Sequence, residues 1–160
     1  MCDTFSNCYF NKTNNHTDSS FVTDVSKWAS LLISGSNPLG NGQAAINFFI
    51  ALAKSEVGGV GTLFSQKYNF GNVRSDLSGN QEDSDYTSIE QAASTMKNYM
   101  QPRFKGLISY LVNTKPQDFQ IGKAVALLAA GSYKGTSDIG YYSTIIKFYI
   151  IKNRENSFAF

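Results

Sequence analysis

Residues Ala44 to Ser75 read AAINFFIALAKSEVGGVGTLFSQKYNFGNVRS, and this stretch decides the fold. From Gly42 to Ser55 nearly every position is apolar: Ala44, Ala45, Ile46, Phe48, Phe49, Ile50, Ala51, Leu52 and Ala53. A helix without a polar face has to be covered on all sides, so the spacing predicts a central helix with neighbours packed around it. The run ends at one carboxylate, Glu56, followed at once by Gly58, Gly59 and Gly61, and then by the aromatic and amide cluster Tyr68-Asn69-Phe70-Gly71-Asn72.

Working outward, Phe21, Val25, Trp28 and Leu32 recur on one helical face, with Asp18 or Ser19 able to cap the start and Gly35 able to close the end. Trp28, the single tryptophan, is expected in the core. SGSNPLGNG, residues 34–42, reads as a loop. From Tyr68 to Tyr86 the text turns to Gly, Asn, Ser and Asp, which predicts a loop or small hairpin. Helical text returns at Ser88, where Ser88 and Gln91 make a capping-box pattern, and runs to about Met100. Pro102 should break or kink it, and a short helix over Arg103 to Val112 follows. Pro116 is expected in the first turn of a helix reaching Gly131, and Tyr141 to about Lys152 forms the last helix. The fold class expected is mainly α: a helical domain over residues 19–160 with a small extended patch, preceded by a flexible leader over residues 1–18.

Composition bounds the chemistry. The chain has 160 residues, is 42% hydrophobic and 16% charged, and carries a net charge of +2, too weak a bias to argue for nucleic acid. His16 is the only histidine, and Cys2 and Cys8 stand close together in the leader, compatible with two thiols or one small disulfide loop. A zinc site or a Ser-His-Asp triad needs more than this, so no metal and no organic cofactor is expected. The longest charge-free apolar run is far short of the ~20 residues of a membrane span. The first fifteen residues have neither the basic nor the apolar region of a signal peptide. Asn11 and Asn15 begin N-x-T sequons that matter only in a secreted eukaryotic protein.

The order of the motifs is more specific than any one of them. An apolar helix ending in Glu56 and glycines is followed by YNFGN, then YTSIEQAASTMKNYM, RFKGLI and AGSYKGTSDIGYYSTIIKFY. This resembles the glucosaminidase group of the lysozyme-like superfamily, whose members read roughly A-x-x-E-S-G-W-G, N-N-L-F-G-I-K, Y-x-S-x-E-E-S, R-Y and A-G-Y-A-T-D-P-x-Y. NFGNVR is also similar to the N-N-P-G-N-I-R motif of phage and bacterial muramidase-like domains. The likeness spans about residues 42–150.

The resemblance implies a lysozyme-like α+β domain that cuts the β-1,4 bond of bacterial peptidoglycan, with Glu56 as the general acid. Residue chemistry points the same way. A carboxyl near a helix C-terminus meets the negative end of the dipole, and apolar surroundings disfavour its charged form, so both effects favour holding the proton. The competing account is a solvated Glu at a helix end capped by Gly58. A second carboxylate would come from Asp76, Glu82, Asp83 or Asp85, in a region shortened relative to the family; Asp76 and Asp85 head that set. A mechanism with one essential glutamate, as in lytic transglycosylases, stays open.

Tyr68, Asn69, Phe70, Gly71 and Asn72 resemble the family's cleft floor, where amides bond sugar hydroxyls and an aromatic face packs on a pyranose; Tyr86 is grouped with them. Tyr133, Tyr141 and Tyr142 match the A-G-Y…Y region, in which one tyrosine lies near the acid. The stretched spacing leaves Tyr141 and Tyr142 both open, with core packing as the alternative for each. The tryptophan that follows the acid in the family is absent here. The expected setting is a phage enzyme, carried in the virion beside other virion proteins or released from the host cytoplasm on lysis. The rival is a wall-binding or structural virion protein on the same scaffold without turnover.

Overall fold

A computed structural model describes residues 18–58, 68–71, 73, 86–134 and 138–158. Its elements are α1 (Asp18–Leu32), α2 (Gly42–Gly58), α3 (Ile89–Arg103), α4 (Lys105–Asn113), a single 3₁₀ turn (Pro116–Asp118), α5 (Ile121–Ala130) and α6 (Ile139–Phe158). The fold is mainly α, and the described residues contain no strand. None of these helices is long and apolar enough to cross a membrane. The leader with Cys2, Cys8 and His16 lies outside the described residues, as do Gly59, Gly61, Asn72, Asp76, Glu82, Asp83 and Asp85. Most of the expected extended patch falls there too; its described parts, 68–71, 73 and 86, are turn and coil.

α2 is the hub, as its composition requires. It packs along α6 and against α1, while α1 lies on α3 and α5 joins α4 to α6. Phe48, Phe49, Ala51, Leu52 and Ala53 are completely buried. Each large side chain of that set contributes about 1.5–3 kcal/mol by leaving water, so the helix is held by its surroundings and not by local propensity. α1 presents Val25, Trp28, Ala29 and Leu32 inward; the Trp28 ring meets Phe49 edge-on at 6.3 Å and tilts over Phe70 at 5.7 Å. Trp28 is therefore a core residue, 1% exposed.

The boundaries follow local chemistry. α1 ends at Leu32, and Gly35, with φ +71°, lets the chain reverse. Lys97 on α3 then donates to the carbonyls of Ser34 (2.6 Å) and Ser36 (3.3 Å), and Gln101 to that of Asn37 (2.8 Å), pinning the loop. A polar cleft of about 370 Å³ lies between this loop and α3. Ser88 caps α3 by accepting from the Gln91 N–H at 3.0 Å. The Gln91 carboxamide reaches back one residue further than a capping box requires, accepting from the N–H and hydroxyl of Thr87. Pro102 is accommodated inside α3; the break falls at Phe104, whose φ −127° and ψ 45° turn the chain into α4. Pro116 opens the separate 3₁₀ turn and not α5, which starts five residues later. α6 exceeds its expected span at both ends: Asp138 caps its start, and its polar tail carries a Lys152–Glu155 pair at 3.6 Å.

Candidate functional site

Glu56 sits in the last turns of α2 with only 3% of its surface exposed. A carboxyl covered to that degree needs hydrogen-bonding partners. One comes from 85 residues away: the Tyr141 hydroxyl donates to Glu56 Oε1 at 2.5 Å. Tyr141 stands in the first turn of α6, where its own N–H donates to Asp138 Oδ1 at 3.0 Å and so fixes how the helix begins.

Tyr142, one position on, points elsewhere. It is buried, its hydroxyl accepts from the Lys134 N–H at 3.1 Å, and its ring meets that of Tyr141 edge-to-face at 5.1 Å. Of the two tyrosines left open by the sequence, Tyr141 is the one bonded to the carboxyl. Its hydroxyl is held far above the usual tyrosine range, first by burial and then by the charge of Glu56. It therefore keeps its proton and remains a donor at any working pH.

Two more tyrosines close the surroundings. Tyr133, on the connection between α5 and α6, stacks near Phe104 (5.7 Å) and Tyr99 (5.9 Å), and its hydroxyl donates to the Gly71 carbonyl. It too is pushed well above its usual range by burial, with Glu56 as the next cause. Tyr99 on α3 is raised by burial; the Arg103 charge opposes this and the Glu56 charge adds to it. Tyr99 was not among the residues expected at the site; its signal was its position in the KNYM end of the expected helix that starts at Ser88.

The 68–73 segment is built inward. Tyr68 adopts φ +63°, and the Phe70 N–H donates back to its carbonyl at 2.8 Å, a tight turn of strained backbone. Asn69 is buried and its Oδ1 accepts from the Val73 N–H at 2.9 Å, while Tyr86 donates to the Val73 carbonyl at 2.5 Å. Phe70 is enclosed against Trp28, so its ring stacks on indole and offers no open face to a sugar. Gly71 lies so close to its neighbours that a Cβ would come within 2.7 Å of Met96 Sδ. Within this expected cleft floor, Tyr68 is half-buried and Asn69, Phe70 and Gly71 are buried. Glu56 and Tyr141 are thus in contact, with Tyr99 and Tyr133 close enough to feel the carboxyl's charge, whereas Asn69, Phe70, Gly71 and Tyr86 are buried.

A covered carboxyl that receives a hydroxyl donor can act as a proton donor whose conjugate base is stabilised as it forms. Searches of protein-family models, curated proteins and solved structures gave no match.

Proposed function

We propose that the protein is a peptidoglycan hydrolase on a lysozyme-like helical scaffold, cutting a β-1,4 glycosidic bond of the wall glycan with Glu56 as general acid. The observation that supports this reading is the Glu56–Tyr141 bond at 2.5 Å, made at a 3% exposed carboxyl. The resemblance nominates Glu56 as the acid and leaves Tyr141 and Tyr142 open as its neighbour; Tyr141 is the one in contact with the carboxyl. Burial disfavours an ionised carboxyl, while the hydroxyl donated by Tyr141 favours one. When the proton passes to the departing glycosidic oxygen, the Tyr141 hydroxyl stabilises the carboxylate left behind. The polymer's own N-acetyl group, or a carboxylate outside the described residues, supplies the opposing partner. A phage lysin, in the virion or released at lysis, is the setting proposed.

The near-complete cover over Glu56 favours a second reading: a wall-binding or structural virion protein in which the same pair serves only as an internal bond. Glu56→Gln separates the two. It preserves shape and accepts the Tyr141 hydrogen bond, so folding and wall binding persist. Release of reducing ends from purified wall should fall about 10²–10⁴-fold, the usual contribution of a general acid. Full activity in that variant, or none in the parent protein between pH 4 and 8, rules out the catalytic reading.

A further inference from the structure

Two tyrosines carry a cation on the ring: Tyr141, which bonds the Glu56 carboxyl, and Tyr99, which meets Tyr133 edge-on at 5.9 Å. The Arg103 guanidinium carbon lies 4.7 Å from the Tyr99 centroid, held there by an Nη1 donation to the Tyr99 carbonyl at 2.8 Å. The Lys134 ammonium lies 5.9 Å from the Tyr141 centroid. These are cation–π distances, which fix a charge over a ring without neutralising it. Both side chains are exposed, and among the described residues neither has a carboxylate partner. Lys27 pairs with Glu90 at 2.7 Å and Lys152 with Glu155 at 3.6 Å, and Lys123 likewise lies over a ring, that of Tyr110, at 5.3 Å. Asp138, close in sequence to Lys134, is engaged in capping α6. The tyrosines grouped with the buried acid thus carry two exposed positive charges from different parts of the chain.

We infer that Arg103 and Lys134 form a cationic rim that takes carboxylate substituents of the glycan, so that the site selects an anionic amino-sugar polymer over a neutral one. This inference rests on the glycosidase reading for the position of the reacting bond. Its physical basis is attraction between exposed charges, which steers and holds an anionic chain and weakens with salt.

The test uses the full-length Glu56→Gln protein, which binds without cutting, and wall sacculi freed of phosphate polymers. Half of the sacculi have their carboxylates capped as neutral amides by carbodiimide and glycinamide. In co-sedimentation, Arg103→Met and Lys134→Met should each raise Kd for uncapped sacculi about twofold to fivefold, what an exposed charge contributes, and the pair by about tenfold. Arg103→Lys and Lys134→Arg should retain most of the affinity. Capped sacculi should bind weakly and alike to all variants, and high salt should erase the difference. With Glu56 restored, the loss should fall on KM and not on kcat. Equal affinity for capped and uncapped sacculi overturns the inference, as does an identical loss on both. Preference only for sacculi that retain phosphate polymers overturns the assignment to carboxylates. If the parent protein cuts no sacculi while the charge dependence of binding persists, the glycosidase reading fails and the rim stands.

Discussion

Replacing Tyr141 with Phe removes one oxygen atom and leaves the ring in place, so its consequences follow from the Glu56–Tyr141 bond alone. Near neutral pH the change leaves a buried carboxyl oxygen short of a donor, which costs about 1–3 kcal/mol. Taking about 2 kcal/mol, and about 2 kcal/mol per molar for the denaturant slope of a domain of this size, the urea midpoint should drop by about 1 M. The pH dependence is the sharper check. Tyr141 is raised far above its unfolded value, so its neutral form contributes stability below the unfolded pKa and loses it as pH rises beyond. Above about pH 10 the unfolded chain ionises this tyrosine and the folded chain does not, which lowers parent stability by ~1.4 kcal/mol per pH unit. Phe has no such loss, and the ionisation of the other tyrosines is common to both proteins. A 2 kcal/mol deficit at pH 8 should therefore close near about pH 11.5. The assay is urea unfolding followed by far-UV circular dichroism from pH 8 to 11.5. A stability gap that stays constant across that range would show that the Tyr141 hydroxyl is not shielded against Glu56, and the site geometry would be wrong.

Gly131→Ala should destabilise by about 1–3 kcal/mol, because its Cβ would lie 2.4 Å from two atoms of the buried Phe104 ring, which cannot move aside as a flexible chain would; calorimetry should show a lower Tm with native helix content. Ser88→Ala should cost about 1 kcal/mol by freeing the Gln91 N–H at the start of α3, and Ser88→Asp should restore most of it, read from urea midpoints.

What could be read in advance was whatever depends on local pattern. The all-round apolar text of 44–53 could only be a central helix, and the inward face of α1 followed from a spacing that keeps Val25, Trp28 and Leu32 on one side. Boundaries were harder where two local rules compete. Pro102 predicts a break, yet a proline next to the last helical residue removes little, and the chain turns two residues later at Phe104. The polar tail KNRENS suggests an end at Lys152, but a solvated last stretch with an i,i+3 ion pair continues the helix. Choosing between Tyr141 and Tyr142 was out of reach because adjacent helical residues point about 100° apart. The rotation of α6 is set by packing on α2 and by Asp138, neither visible in spacing. Asn69 and Phe70 show the opposite failure: residue types suited to sugars are buried here, since the same amide and ring satisfy a backbone N–H and an indole.

The carboxyl and its hydroxyl donor are 85 residues apart in the chain, one on the hub helix and the other on α6. During synthesis the hub emerges before α6, so its greasy flank stays uncovered and its acid lacks the Tyr141 donor until α6 has left the ribosome and docked. A nascent or prematurely terminated chain thus has no assembled centre.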